Sequence, residues 1–130
     1  MKRMIIVSIL IVAVVGAGIV ESIFSTKIFS EFESELIVLE QGVDENKSNI
    51  SVSDNIVKVD AIISKWNGVK DIVIMFSNHA VVRSFEEKLY ALQSSVKTGE
   101  FVNAKEYLML SRALARDLID ETYLHIGNLF

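Results

Sequence analysis

MIIVSILIVAVVGAGIV, residues 4–20, is a run of seventeen uncharged side chains set between Lys2-Arg3 and Glu21. Ile, Leu and Val favour the centre of a membrane-spanning helix by about 0.3–0.6 kcal/mol each, and they make up most of this run. At about 1.5 Å per residue such a helix is roughly 25 Å long. The hydrocarbon core of a bilayer is slightly thicker, about 30 Å. Met1 at one end, with Ser22, Ile23 and Phe24 at the other, makes up the difference.

A cleaved signal peptide shares the basic start and the apolar centre. Val15-Gly16-Ala17 is an acceptable cleavage site, so a cut after Ala17 stays open. The helical pattern nevertheless runs through Glu21 without a break, which favours an uncleaved transmembrane anchor over residues 1–23. Lys2 and Arg3 on the short flank place the N-terminus in the cytoplasm. Residues 24–130 then form an extracytoplasmic domain on the outer side of the cell membrane.

Working outward, the rest of the chain suits one small domain with its own core. With Lys2 and Arg3 set aside from the 13 Lys and Arg, 11 remain against 17 Asp and Glu, a net of −6. No cationic cluster lies beyond residue 3, which argues against nucleic acid as a partner, since that binding relies on clustered cations. The absence of cysteine excludes disulfides, iron–sulfur clusters, thiolate zinc sites and a cysteine nucleophile. The absence of proline suits long uninterrupted helices.

Four helices are expected. The first continues past the bilayer as a stalk, with Phe24, Ile28, Phe32, Leu36 and Leu39 on one stripe and Lys27, Glu31, Glu33 and Glu35 off it. Gln41-Gly42 should stop it, and a polar loop from Val43 to Ile50 follows. Ser51-Val52-Ser53-Asp54 reads as a capping box opening the second helix. Val52, Ile56, Val59, Ile63, Trp66, Val69, Val73 and Phe76 form its face. Asn67-Gly68 is a turn signal, so this helix either bends at Gly68 or gives way to a strand over Ile72-Val73-Ile74. The helix is preferred because no second strand is available to pair.

A break at Ser77-Asn78-His79 starts the third helix, with Val82, Phe85, Leu89, Leu92 and Val96 facing inward and Thr98-Gly99 closing it. Phe101, Ala104, Leu108, Leu114, Ala115 and Leu118 mark the fourth, widened by Tyr107 and Leu110. Short connections favour antiparallel neighbours. The expected fold class is all-α: an N-terminal transmembrane helix continuing into a stalk, and an antiparallel bundle of about four helices outside the membrane.

Candidate chemistry is sparse. Asp117, Glu121 and His125 fall at i, i+4 and i+8 with Asp120 beside them, a spacing that suits a divalent metal. Real helical sites draw ligands from several helices, so the row reads as a solvated face with an Arg116–Asp120 pair, and no metal is assigned. His79 is expected to cap a helix end at the second junction, with a pH switch as the competing role. Trp66, Tyr90, Tyr107 and Tyr123 read as anchors in or at the edge of the core. Asn46-Lys47-Ser48 and Asn49-Ile50-Ser51 match the N-glycosylation pattern. Glu86-Glu87 point about 100° apart on a helix and do not face each other. No phosphate loop, G-x-S-x-G elbow or H-E-x-x-H motif occurs. No catalytic residue and no cofactor is assigned, and a non-enzyme is expected.

The Met1-Lys2-Arg3 start with its apolar run and the Trp66-Asn67-Gly68-Val69-Lys70 segment also carry a resemblance. So do the Asn78-His79 junction, Thr98-Gly99-Glu100 leading to Ala104, and the closing Gly127-Asn128-Leu129-Phe130. Taken in order, over nearly the whole chain, they resemble the bacterial family catalogued as domain of unknown function 4363. Ile72-Val73-Ile74 departs from it, lacking an aromatic expected there. The resemblance implies short, single-pass helical proteins of Gram-positive, often spore-forming bacteria, and implies no activity, substrate or catalytic residue.

The function expected is therefore a membrane-anchored helical accessory subunit that docks another membrane or envelope protein. The alternative is an extracytoplasmic domain that binds a small molecule or metal ion as a sensor, although a chemoreceptor would need a second span and an output module. A pilin-like subunit would need a glutamate early in the apolar run. Self-association through the stalk, along Phe24, Ile28 and Phe32, is compatible with each.

Overall fold

Four helices account for almost all of the chain: α1 (Lys2–Glu45), α2 (Ser53–Phe76), α3 (His79–Thr98) and α4 (Phe101–Leu129). The computed structural model describes residues 1–129, without the side chains of residues 21, 22 and 122–129. The fold is all-α, with no strand among the described residues. Each helix packs on its neighbours in sequence and α4 returns to α1, closing an up-down-up-down bundle with α1/α3 and α2/α4 on its diagonals.

The stalk stripe is the first wall of this bundle. Ile28, Phe32, Leu36 and Leu39 are buried, together with Phe29 and Val43. That leaves Phe24 as the exposed member of the stripe proposed for self-association. The inward faces of the other helices join them: Val59, Ile62, Ile63, Trp66 and Val73 from α2; Val82, Phe85, Leu89, Leu92 and Val96 from α3; Ala104, Leu108, Ala115, Leu118 and Ile119 from α4. None of these helices is stable alone in water, and the shared core supplies the stability each lacks.

Aromatic rings fill the middle of the core. Phe85 stands edge-on to Phe29, Phe32 and Trp66, with centroids 5.8, 5.7 and 5.3 Å away. Phe32 and Trp66 meet at 6.0 Å. Tilted and edge-to-face geometry places positive ring edges against negative faces. The buried Trp66 indole also donates a hydrogen bond from Nε1 to Glu86 Oε2 at 2.7 Å, so its one polar group is satisfied. Trp66 is the core anchor expected of it. Tyr90 is not: it lies half-exposed, its hydroxyl donating to Asn67 Oδ1 at 3.1 Å. The Tyr123 side chain lies outside the described residues.

Helix ends differ from expectation in three places. α1 does not stop at Gln41-Gly42 but runs one more turn to Glu45, burying Val43. Gly42 serves a close approach instead: a Cβ there would collide with the Asn55 side-chain oxygen of α2. The Asn55 amide donates to Gly42 O at 3.2 Å and to Ile50 O at 3.0 Å, and Asn46 Nδ2 donates to Gly42 O at 2.8 Å. A carbonyl left over at the helix end is thereby satisfied by side chains.

The capping box does not form. The N-cap of α2 is Val52, without a side-chain cap, which puts Ser51 one position too early. Ser51 Oγ donates to Asn49 Oδ1, and Asp54 pairs with Lys58 at 3.2 Å. At the second junction the cap is Asn78 rather than His79: its side chain accepts from the backbone N–H of Ala80 and Val81. His79 is exposed as the first residue of α3. Gly99 behaves as expected, ending α3 in the left-handed conformation at φ 77°. α2 continues through Gly68, and the β-branched segment after it is helical.

Candidate functional site

Two surfaces stand out. The first is the N-terminal part of α1, from Met4 to Val20, where no side chain is buried against the rest of the protein. α1 is long and apolar enough there to cross a membrane. Its residues are apolar on every face, whereas two neighbouring helices can cover only one stripe of a third.

The second is the set of polar seams between the helices, built from residues that the periodicity leaves just outside the apolar stripes. On the α1–α4 seam, Glu33 Oε1 meets Arg116 at 2.9 Å, and Glu40 takes Lys105 and Arg112, each at 3.0 Å. Lys105 also reaches Asp44 at 3.0 Å. On the α1–α2 seam, Lys65 bridges Glu31 and Glu35 at 2.9 and 3.0 Å while lying over the Phe32 ring. On the α2–α3 seam, Asp60 accepts from Gln93 at 2.8 Å and pairs with Lys97 at 3.1 Å. Lys88 lies over the Tyr107 ring between α3 and α4.

These clasps displace the titrations of their members. The hydrogen bond from Lys65 holds the Glu31 carboxyl below its ordinary range, and that from Gln93, followed by Lys97, does the same for Asp60. Burial pulls the Lys65 ammonium down, but Glu31 and Glu35 outweigh it and the net direction is up. Hydrogen bonds to Glu40 and Asp44 raise Lys105. The displaced groups thus sit in carboxylate–lysine clasps at the rims of helix interfaces. Such pairs fix helix register and choose neighbours, while adding little stability in water.

Arg116, expected to pair with Asp120 along α4, instead crosses to Glu33. Asp117 is exposed, and the His125 side chain lies outside the described residues. No three ligating side chains gather among the described residues. The two glycosylation-pattern asparagines are engaged locally, Asn46 on the Gly42 carbonyl and Asn49 with Ser51. Sequence reasoning missed Asn55, Ile62 and Phe29 as buried residues and Glu86 as the partner of Trp66. For Asn55 the usable signal was its place in the first turn of α2, beside a loop with carbonyls to satisfy. Compared with protein-family models, with curated proteins and with solved structures, the chain matches none.

Proposed function

We propose that this protein is a non-enzymatic, membrane-anchored accessory subunit whose helical bundle stands on the outer face of the cell membrane and docks another membrane or envelope protein. The carrying observation is the unburied apolar run joined to the bundle through one helix. Water would be a poor solvent for such a surface and lipid a good one. Lys2 and Arg3 at the start support a cytoplasmic N-terminus. The acidic balance of the domain supports a docking role.

The chain has no cysteine, so single substitutions report position cleanly. Val102→Cys, at the exposed start of α4, should react with a membrane-impermeant maleimide in intact cells. Labelling only after lysis would overturn the orientation. Photocross-linking from Met109, exposed on α4, should give one adduct with a distinct membrane protein. Adducts only with the chain itself would overturn the docking role.

A further inference from the structure

Beyond the apolar run, eleven large hydrophobic side chains are exposed among the described residues, and six of them fall in two short segments. These are Ile23 and Phe24 on α1, and Ile72, Ile74, Met75 and Phe76 on the last turns of α2. The other five are scattered singly over the bundle. The register of α1 and α2 brings the two segments to the same end. Gly42 meets Asn55, Glu35 meets Lys65, and Phe32 meets Trp66, so α2 descends along α1 residue for residue. Continued to Phe76, that register ends beside residues 21–24 of α1. Ile23 is about 4.5 Å beyond Val20 along the helix axis, at about 1.5 Å per residue. The α2–α3 corner is therefore level with the end of the apolar run.

Exposed apolar side chains grouped this way mark an interaction surface. Charge points to the occupant. Lys70 and Arg83 lie on either side of the corner, and Asp71 is the single acid between Trp66 and Arg83. Lys27 lines the α1–α2 groove beside it. An apolar edge flanked by cations suits the boundary between headgroups and acyl chains, where such groups sit about 5–10 Å deep.

We infer that the α2–α3 corner, with Met75 and Phe76 at its tip, inserts into the lipid headgroup boundary of the bilayer that α1 crosses, seating the bundle directly on the membrane. This rests on the membrane-anchored reading above. The seat would hold the bundle at a fixed height and leave the α2 N-terminus and the α3–α4 turn as the end presented to a partner.

The test uses the full chain in vesicles of phosphatidylglycerol and phosphatidylcholine, with a nitrobenzoxadiazole fluorophore on single cysteines. Met75 is 73% exposed, so Met75→Cys leaves the core alone. Val102→Cys reports the far end and Val12→Cys the apolar run. The expected result is strong quenching at position 75 by a spin label near the headgroup, deep quenching at 12, and none at 102. Deep quenching at 12 with a water-exposed probe at 75 overturns the seat and leaves the anchor standing. A probe at 75 shielded from water yet unquenched by lipid means that protein covers the corner, and overturns the seat too. Absence of lipid quenching at position 12 overturns the anchored reading itself.

Discussion

α1 is one helix with two surfaces. From Met4 to Val20 it is apolar on every side and buries no side chain; from Ile28 to Val43 it is apolar along one stripe and disappears into a core. Ile, Val and Leu make up 11 of the 17 residues in the first half and 6 of the 16 in the second. The second also carries four Glu, so amount and period separate them together. An apolar stripe leaves the opposite face for Glu31, Glu33, Glu35 and Glu40, and those charges then clasp α2 and α4. A helix without a polar face has nowhere to put water, and the bundle has only enough helices to cover a stripe.

The comparison can be broken from either side. Phe32→Ala removes a ring touching Phe29, Trp66 and Phe85, and should cost about 3–5 kcal/mol of bundle stability. Thermal unfolding followed by Trp66 fluorescence checks it, and membrane partitioning should stay unchanged. Val12→Arg is the mirror image. It should raise the cost of insertion by about 2.5–3.5 kcal/mol, read as the fraction extracted by alkaline carbonate, with the melting of the bundle untouched.

Two glycines sharpen the point at smaller scale. Gly42→Ala drives a methyl into Asn55, and overpacking of this kind should destabilise by about 1–3 kcal/mol. Gly68 has open space around its Cα, so Gly68→Ala should stabilise by about 0.5–1 kcal/mol. Denaturant midpoints of the two variants should move in opposite directions.

The smallest expected effect lies in the clasps. Glu31 and Asp60 have folded titrations lowered from 4.5 and 3.8, so their contribution is present above those values and fades as pH falls through the folded ones. Lys65 is raised from 10.5, and its contribution is complete below that value and fades above it. Lys65→Met should therefore flatten the pH dependence of the melting temperature at both the acid and the alkaline end, most visibly in low salt.

Most of the architecture was legible from spacing alone. The inward residues of α3 and the Gly99 stop follow from helical periodicity and the left-handed preference of glycine. The ends of α1 and α2 were less legible, because Gly42 and Ser51 carry the local signals of a stop and a cap. Local signals compete with contacts from elsewhere in the chain. At Gly42 the approach of Asn55 prevailed, keeping the helix going for another turn. At Ser51 the helix simply begins two residues later. His79 likewise lost its capping role to its neighbour Asn78, whose shorter side chain carries an oxygen able to reach the first free N–H groups.

The sequence by itself determined the four helices, the run apolar on all sides and the faces that meet in the core, since periodicity is a property of neighbours along the chain. Only the tertiary structure decided that Glu33 answers Arg116, that Trp66 answers Glu86, and that the end of α2 comes level with the end of the apolar run. Those pairings join residues up to 83 positions apart. Their geometry depends on how four rods settle side by side, and no local pattern encodes that register.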